Sequence, residues 1–330
     1  MVEYMIPKFL TTIPPELLGR VRDLEMMTSS ESCNRSINQL LQRTVLLGGK
    51  RLRPLLTYLC GSFFGVNAAD LDTYAKAIEM VHAASLSHDD VVDGAKTRRG
   101  KPSINAESTN KHAVLAGDYL LADVIVELSK RGNLPLVQEM SLVIQALAEG
   151  EWIQLDAAES RKYSRELIEL IANKKTASVM SWCAVAPATL AGLPEAVIGY
   201  ARDFGYHLGL AFQQMDDTLD FSGNSKKDHL LDLENGIINS VLYEWMELNP
   251  ELKERFLAGE SASSVWSEKN LDRAVNIVEA RARDHLDKCL ELIEVMAKEI
   301  PSHSQLTYEQ ITKAKEPLIE IVHYLGRRTY

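Results

Sequence analysis

Residues 74–93, YAKAIEMVHAASLSHDDVVD, decide how this chain folds. Tyr74, Ile78, Val81, Ser85, His88 and Val92 recur at three- and four-residue steps, the period of one face of a long helix. The helix ends in Asp89, Asp90 and Asp93. Asp89 and Asp93 project from the same face about one turn apart, where like charges are destabilising unless something neutralises them. The arrangement returns in FQQMDDTLD, residues 212–220, where Asp216 and Asp220 have the same spacing after the apolar stretch YHLGLAFQQM. Hard oxygen donors suit Mg²⁺, which keeps several waters and takes a carboxylate or two plus substrate phosphates. A single such motif is ordinarily a solvated helix face. Two of them, each closing an apolar helix and each followed by basic residues, point to a metal site at the mouth of a cavity.

Working outward, helical periodicity continues and alternating β-branched runs are nearly absent. A helix is expected from His112 to Lys130, and Leu134-Pro135 breaks before another that carries Leu142 to Gln154. Arg165 to Leu190 reads as one helix, bent before Pro187. Ala196 to Phe221 reads as another, ended by Ser222-Gly223-Asn224. Two or three helices are expected across residues 238–299 and a last one before Gly326. The least regular stretches are Gly94 to Asn110, Ser222 to Asn239 and Asn249 to Ser267. The expectation is an all-α bundle in a single domain, residues 1–330, around a deep central cavity.

Composition narrows the class. Apolar residues make up 46% and charged residues 25%, ordinary globular values, and the net charge of −10 argues against nucleic-acid binding. Cys33, Cys60, Cys183 and Cys289 are scattered without metal-ligand spacing and read as thiols of a reducing compartment. No signal peptide and no long uninterrupted apolar segment is evident, so a cytoplasmic protein without a transmembrane helix is expected.

Two basic clusters accompany the aspartates: Gly48-Gly49-Lys50-Arg51-Leu52-Arg53-Pro54, and Lys96-Thr97-Arg98-Arg99-Gly100-Lys101-Pro102 just after the first motif. Arginine forks match phosphate geometry and lysine acts as a point charge, so metals on one side and cations on the other would hold a polyphosphate. Lys174-Lys175-Thr176 and Lys226-Lys227 add to the set, with one lysine of each pair free to be solvated. His82, two turns before Asp89, shares its face and is as readily a satisfied core histidine.

Taken together, GGKRLRP, HAASLSHDDVVDGAKTRRGKP, LAGDYLLA, GEWIQLD, KKTAS and FQQMDDTLD resemble the trans-isoprenyl diphosphate synthases of long-chain type, over residues 48–236 or so. The resemblance implies an isoprenoid-synthase helical fold, usually a homodimer, that couples isopentenyl diphosphate head-to-tail with an allylic diphosphate and releases diphosphate. It implies Asp89, Asp93 and Asp216 as ligands of a cluster of roughly three Mg²⁺, with Asp90, Asp217 and Asp220 as indirect partners. It assigns Lys50, Arg53, His82 and Arg99 to isopentenyl diphosphate, and Arg98, Lys175 and Lys227 to the allylic diphosphate. Lys175, Thr176 and Gln213 are then the catalytic groups, the last two beside the developing allylic cation. The departing diphosphate takes the proton, which suits a site without a nucleophile–base pair. Transient membrane contact would accompany product release.

The sequence departs from the family pattern at Asp232-Leu233-Glu234-Asn235-Gly236-Ile237-Ile238-Asn239, where Ile237 replaces an expected lysine and Asn239 a threonine. That departure keeps open a non-catalytic subunit of a heteromeric synthase. The small Ala84 and Ser85, where an aromatic side chain closes the cavity floor in short-chain (about C15–C20) members, imply a longer product of roughly C30–C50, and Ala84→Phe is expected to shorten it. The alternatives are that the two residues pack a helix crossing, or that Met80, Val81 or Leu121 sets the limit.

Overall fold

The segment SVMSWCAVAPATL, Ser178–Leu190, is small or apolar on every side, and such a helix belongs in the interior. A computed structural model describes residues 8–26, 35–46, 48–98, 100–221 and 232–326. Its helices are α1 (Lys8–Thr12), α2 (Pro15–Asp23), α3 (Arg35–Arg43), α4 (Leu52–Phe64), α5 (Ala68–Val92), α6 (Ile104–Glu107), α7 (Asn110–Lys130), α8 (Leu134–Ser160), α9 (Arg165–Ala172), α10 (Ser178–Leu190), α11 (Glu195–Leu219), α12 (Ser240–Leu248), α13 (Pro250–Leu257), α14 (Ala262–Val265), α15 (Leu271–Glu299) and α16 (Tyr308–Gly326). Among the described residues the only sheet is a hairpin of Thr97–Arg98 and Lys101–Pro102. The fold is all-α, as expected. No helix among the described residues is long and apolar enough to cross a membrane.

Helix α10 is buried from Val179 to Ala188 and packs against α4, α5 and α11. Trp182 is fully buried, its ring centroid 6.5 Å from that of Tyr74 on α5. A second apolar cluster, built on Trp245, Phe256, Val265 and Val278, joins α12, α13 and α14 to α15. The termini follow local chemistry. Asn67 caps α5 by accepting from the Ala69 amide (3.0 Å), and Ser164 caps α9 through the Leu167 amide (3.2 Å). Pro135 lies in the first turn of α8, where its missing N–H is not needed.

Three expectations are corrected. Residues 165–190 are continuously helical, as expected, but not one regular α-helix. A single π turn, Asn173–Ala177, separates α9 from α10, and α10 runs through Pro187. Residues 249–267 are not irregular but carry α13 and α14. Residues 238–299 therefore hold four helices rather than two or three. The short helices escape periodicity because each spans too few turns to display it; Phe256 and Val265 anchor them by burial.

Helix α11 lies backbone-to-backbone on this region through Gly205 and Gly209. A Cβ on Gly205 would stand 2.4 Å from Ser181 Cα, and one on Gly209 2.4 Å from Ala177 Cα in the π turn. Gly209→Ala should destabilise the protein by about 1–3 kcal/mol in urea denaturation.

Half-buried His207 on α11 and His285 on α15 meet with their Nδ1 atoms 2.8 Å apart. Burial pushes both pKa values down, and His207 adds to the depression of His285. The folded chain thus holds the pair neutral, whereas the unfolded chain takes up protons near the ordinary value of about 6.5. Their contribution is present above that pH and is lost as pH falls through it toward the folded values. The melting temperature should fall between about pH 7.5 and 5.5, and His207→Gln should flatten the fall. Identical profiles for both proteins would count against this account.

Candidate active site

Asp89 sits in the last turn of α5, and Asp216 and Asp217 in the last turn of α11; neither turn contains a basic residue. A helix C-terminus already carries partial negative charge, so these carboxylates stand where the backbone disfavours them. Burial pushes Asp89 up to about 6, with Glu151 and Asp93 adding to the effect and Lys175 and Arg98 opposing it. Burial and Glu151 raise Asp93 as well. Asp217 is likewise pushed up to about 6 by burial, against hydrogen bonds from Gln213 and Ser240.

The two motifs face one cavity of about 340 Å³. Helix α5 contributes His82, Ser85 and Asp89, α4 contributes Arg53, and α8 contributes Glu151 and Gln154. The π turn presents Lys175 and Thr176, and α11 presents Gln213 and Asp217, with Asp220 just beyond its end. Leu86, Leu147, Ile168 and Ile171 supply apolar wall. Because a π turn holds an extra residue, it re-aims side chains relative to a regular helix. Lys175 is paired with Glu151 and donates to Gln154 Oε1 (3.2 Å), whereas Lys174 pairs with Glu149. Thr176 Oγ1 donates to Gln213 Oε1 (2.7 Å), Gln213 Nε2 to Asp217 Oδ1 (2.9 Å), and the Ser240 amide to Asp217 Oδ2 (2.9 Å).

Other expected residues lie elsewhere. Asp90 is fully buried, and its Oδ1 accepts from Arg98 Nε at 2.7 Å. Both line an adjoining cavity of about 220 Å³ with Gly48, Gly49 and Lys101. Asp93 is exposed at the end of α5, and Lys50 is exposed before α4; neither Asp93, Lys50 nor Asp216 lines the larger cavity. Arg51, in the same basic cluster as Lys50, donates instead to the carbonyls of Val21 (3.0 Å) and Leu24 (2.8 Å). Ala84 is fully buried in the core rather than on the cavity wall, which Ser85 reaches. Arg99 and Lys227 lie outside the described residues.

Sequence reasoning passed over Glu151, Asp232 and Ser240, all on the cavity wall. The signal for Glu151 was Gly150 before it: a Cβ there would stand 2.8 Å from Lys175 Cγ, so the glycine marks the close approach of α8 to the π turn. At the departure from the family pattern, Ile237 lines the cavity. Asn239 accepts from the Leu242 amide (2.9 Å) and caps α12, a role a threonine would also fill.

Comparisons with known proteins agree with this arrangement. The profile of the polyprenyl synthetase family matches residues 34–278. The mitochondrial solanesyl-diphosphate synthase 1 of Oryza sativa is 33% identical over 307 residues, covering 85% of this chain and 69% of its own length. The octaprenyl diphosphate synthase of Haemophilus influenzae is 31% identical over 275 residues, covering 79% and 82%. The chain spans 59%, 52% and 47% of the length of three further curated relatives. A crystal structure of a polyprenyl synthase from Caulobacter crescentus, complexed with calcium and isoprenyl diphosphate, superposes with a TM-score of 0.74 at 26% identity over 98% of each chain. With its two acidic helix ends turned to one cavity, the chain belongs to the polyprenyl synthetase family.

Proposed function

We propose that this chain is a Mg²⁺-dependent prenyl transferase that condenses isopentenyl diphosphate with an allylic diphosphate into a trans-polyprenyl diphosphate of C30–C50. The observation that carries the reading is the single cavity on which Asp89 and Asp217, from two helix ends, meet Lys175, Thr176 and Gln213. No group of three or more His, Cys, Asp or Glu among the described residues forms a ready-made metal cage. Mg²⁺ does not require one, since it binds through one or two carboxylates plus substrate phosphates, and the crowded, partly buried carboxylates fit that mode. The calcium and isoprenyl diphosphate in the Caulobacter enzyme support the same ligand classes.

Bound Mg²⁺ would supply positive charge to the diphosphate and so favour its departure. The chain's own groups do the rest. Lys175, released from Glu151, offers a point charge to the leaving diphosphate, and Arg53 and His82, on the same cavity, would hold isopentenyl diphosphate. Thr176 and Gln213, held by their mutual hydrogen bond, turn dipoles toward the developing allylic cation. Leu86, Leu147, Ile168 and Ile171 exclude water from it.

A long product is supported by Ser85, a small side chain on the cavity wall one turn below Asp89. The purified chain should convert farnesyl diphosphate and labelled isopentenyl diphosphate with Mg²⁺, without a partner protein. Absence of turnover would favour the non-catalytic subunit that Ile237 leaves open. Ser85→Phe should shorten the product on chromatography, and an unchanged distribution would place the limit elsewhere.

The reading includes a homodimer. Leu115 and Val126 on α7 and Leu142 and Trp152 on α8 are 59%, 50%, 52% and 70% exposed, an apolar surface suited to a second copy. Trp152→Asp should lower the mass measured by light scattering.

A further inference from the structure

Glu244 is 3% exposed, yet it is charged. Arg165 Nε and Nη2, at the start of α9, donate to its two oxygens at 2.9 and 3.2 Å, and Arg281 Nη2 on α15 donates to Oε1 at 2.8 Å. Burial opposes the charge, but the two guanidiniums outweigh it and hold the carboxyl below its ordinary range. A carboxylate this buried keeps its charge only while the arginines pair it, so losing a cation from the triad is costly.

The ion triad lies on a closed circuit with the active site. Glu244 is on α12, whose first residue, Ser240, donates its amide to Asp217. Asp217 accepts from Gln213, and Gln213 accepts from Thr176. Thr176 belongs to the π turn that continues directly from α9, and α9 begins at Arg165, which returns to Glu244. Asn239 fixes the same helix start through the Leu242 amide.

We propose that Glu244 is a positioning residue for the prenyl-transfer site: through Arg165 and Arg281 it sets α12 so that the Ser240 amide orients Asp217, and with it Gln213 and Thr176. This rests on the proposed function, and it adds a residue one helix removed from the cavity. Breaking the triad should loosen the Asp217 wall while leaving the isopentenyl side, on α4 and α5, undisturbed.

The test is Glu244→Gln in the full chain. Calorimetry with Mg²⁺ and inorganic diphosphate should show binding weakened about 10-fold, and kcat should fall similarly, while KM for isopentenyl diphosphate stays within about twofold. Hydrogen exchange should show faster exchange at residues 239–243. Mg²⁺–diphosphate binding within about twofold of the parent, with only a lower melting temperature, would reduce Glu244 to a structural role and overturn the proposal. If Glu244→Gln does not fold, Arg281→Lys decides, since it weakens the triad from α15 without touching the cavity wall: the same split supports positioning, and its absence refutes it. A parent protein that binds Mg²⁺–diphosphate in the calorimeter but does not turn over would overturn the function and not the circuit. One that fails to bind it would overturn both.

Discussion

Negative charge gathered at two helix ends is the constraint around which this protein is organised. Asp89 closes α5 and Asp216-Asp217 closes α11, each at the end where the backbone dipole is already negative and where the turn contains no basic side chain. Such ends are tolerable only if cations can be brought to them. The fold does this by turning both onto one cavity and setting Lys175 against it, held in the free protein by Glu151. The raised pKa values of Asp89 and Asp217 express the burial of these carboxylates, which Lys175 opposes at Asp89.

Bringing two helix ends together requires the helices behind them to pack closely. Helix α10 serves as the axis because it has no polar face to keep in water. Gly205 and Gly209 let α11 approach the backbone of α10 and the π turn, which an added Cβ would forbid. That turn, in effect an extra residue in the helix, puts Lys175 and Thr176 on the cavity and leaves Lys174 to pair with Glu149. A regular helix through residues 165–190 would have aimed these three side chains differently.

Much of this was legible in the sequence, for identifiable reasons. The helices that carry the motifs are long enough to show a 3.6-residue period, and the four-residue spacing of Asp89 and Asp93 makes them neighbours on any helix. Arg98 and Asp90 show the limit of such reading. Both looked like members of one charged cluster, yet Arg98 pairs with Asp90 Oδ1 beside a neighbouring cavity. Arg51 was equally indistinguishable from its basic neighbours, and it is occupied by the carbonyls that end α2. A charge in a sequence does not reveal whether its partner will be a ligand or the protein itself.

By itself, the sequence determined the all-α class, the family, the two acidic helix ends and the residue types that surround them, because those depend on periodicity and spacing along one chain. Tertiary structure alone decided that Lys174 turns away to pair with Glu149, and that Ser85 rather than Ala84 reaches the cavity wall. It also decided that Glu151 joins the acidic side and that Asp217 is held from a helix more than twenty residues onward. Those outcomes depend on where separate helices meet and how closely their backbones approach. Close packing and the need to pair buried charge fix both, and neither is written in local spacing.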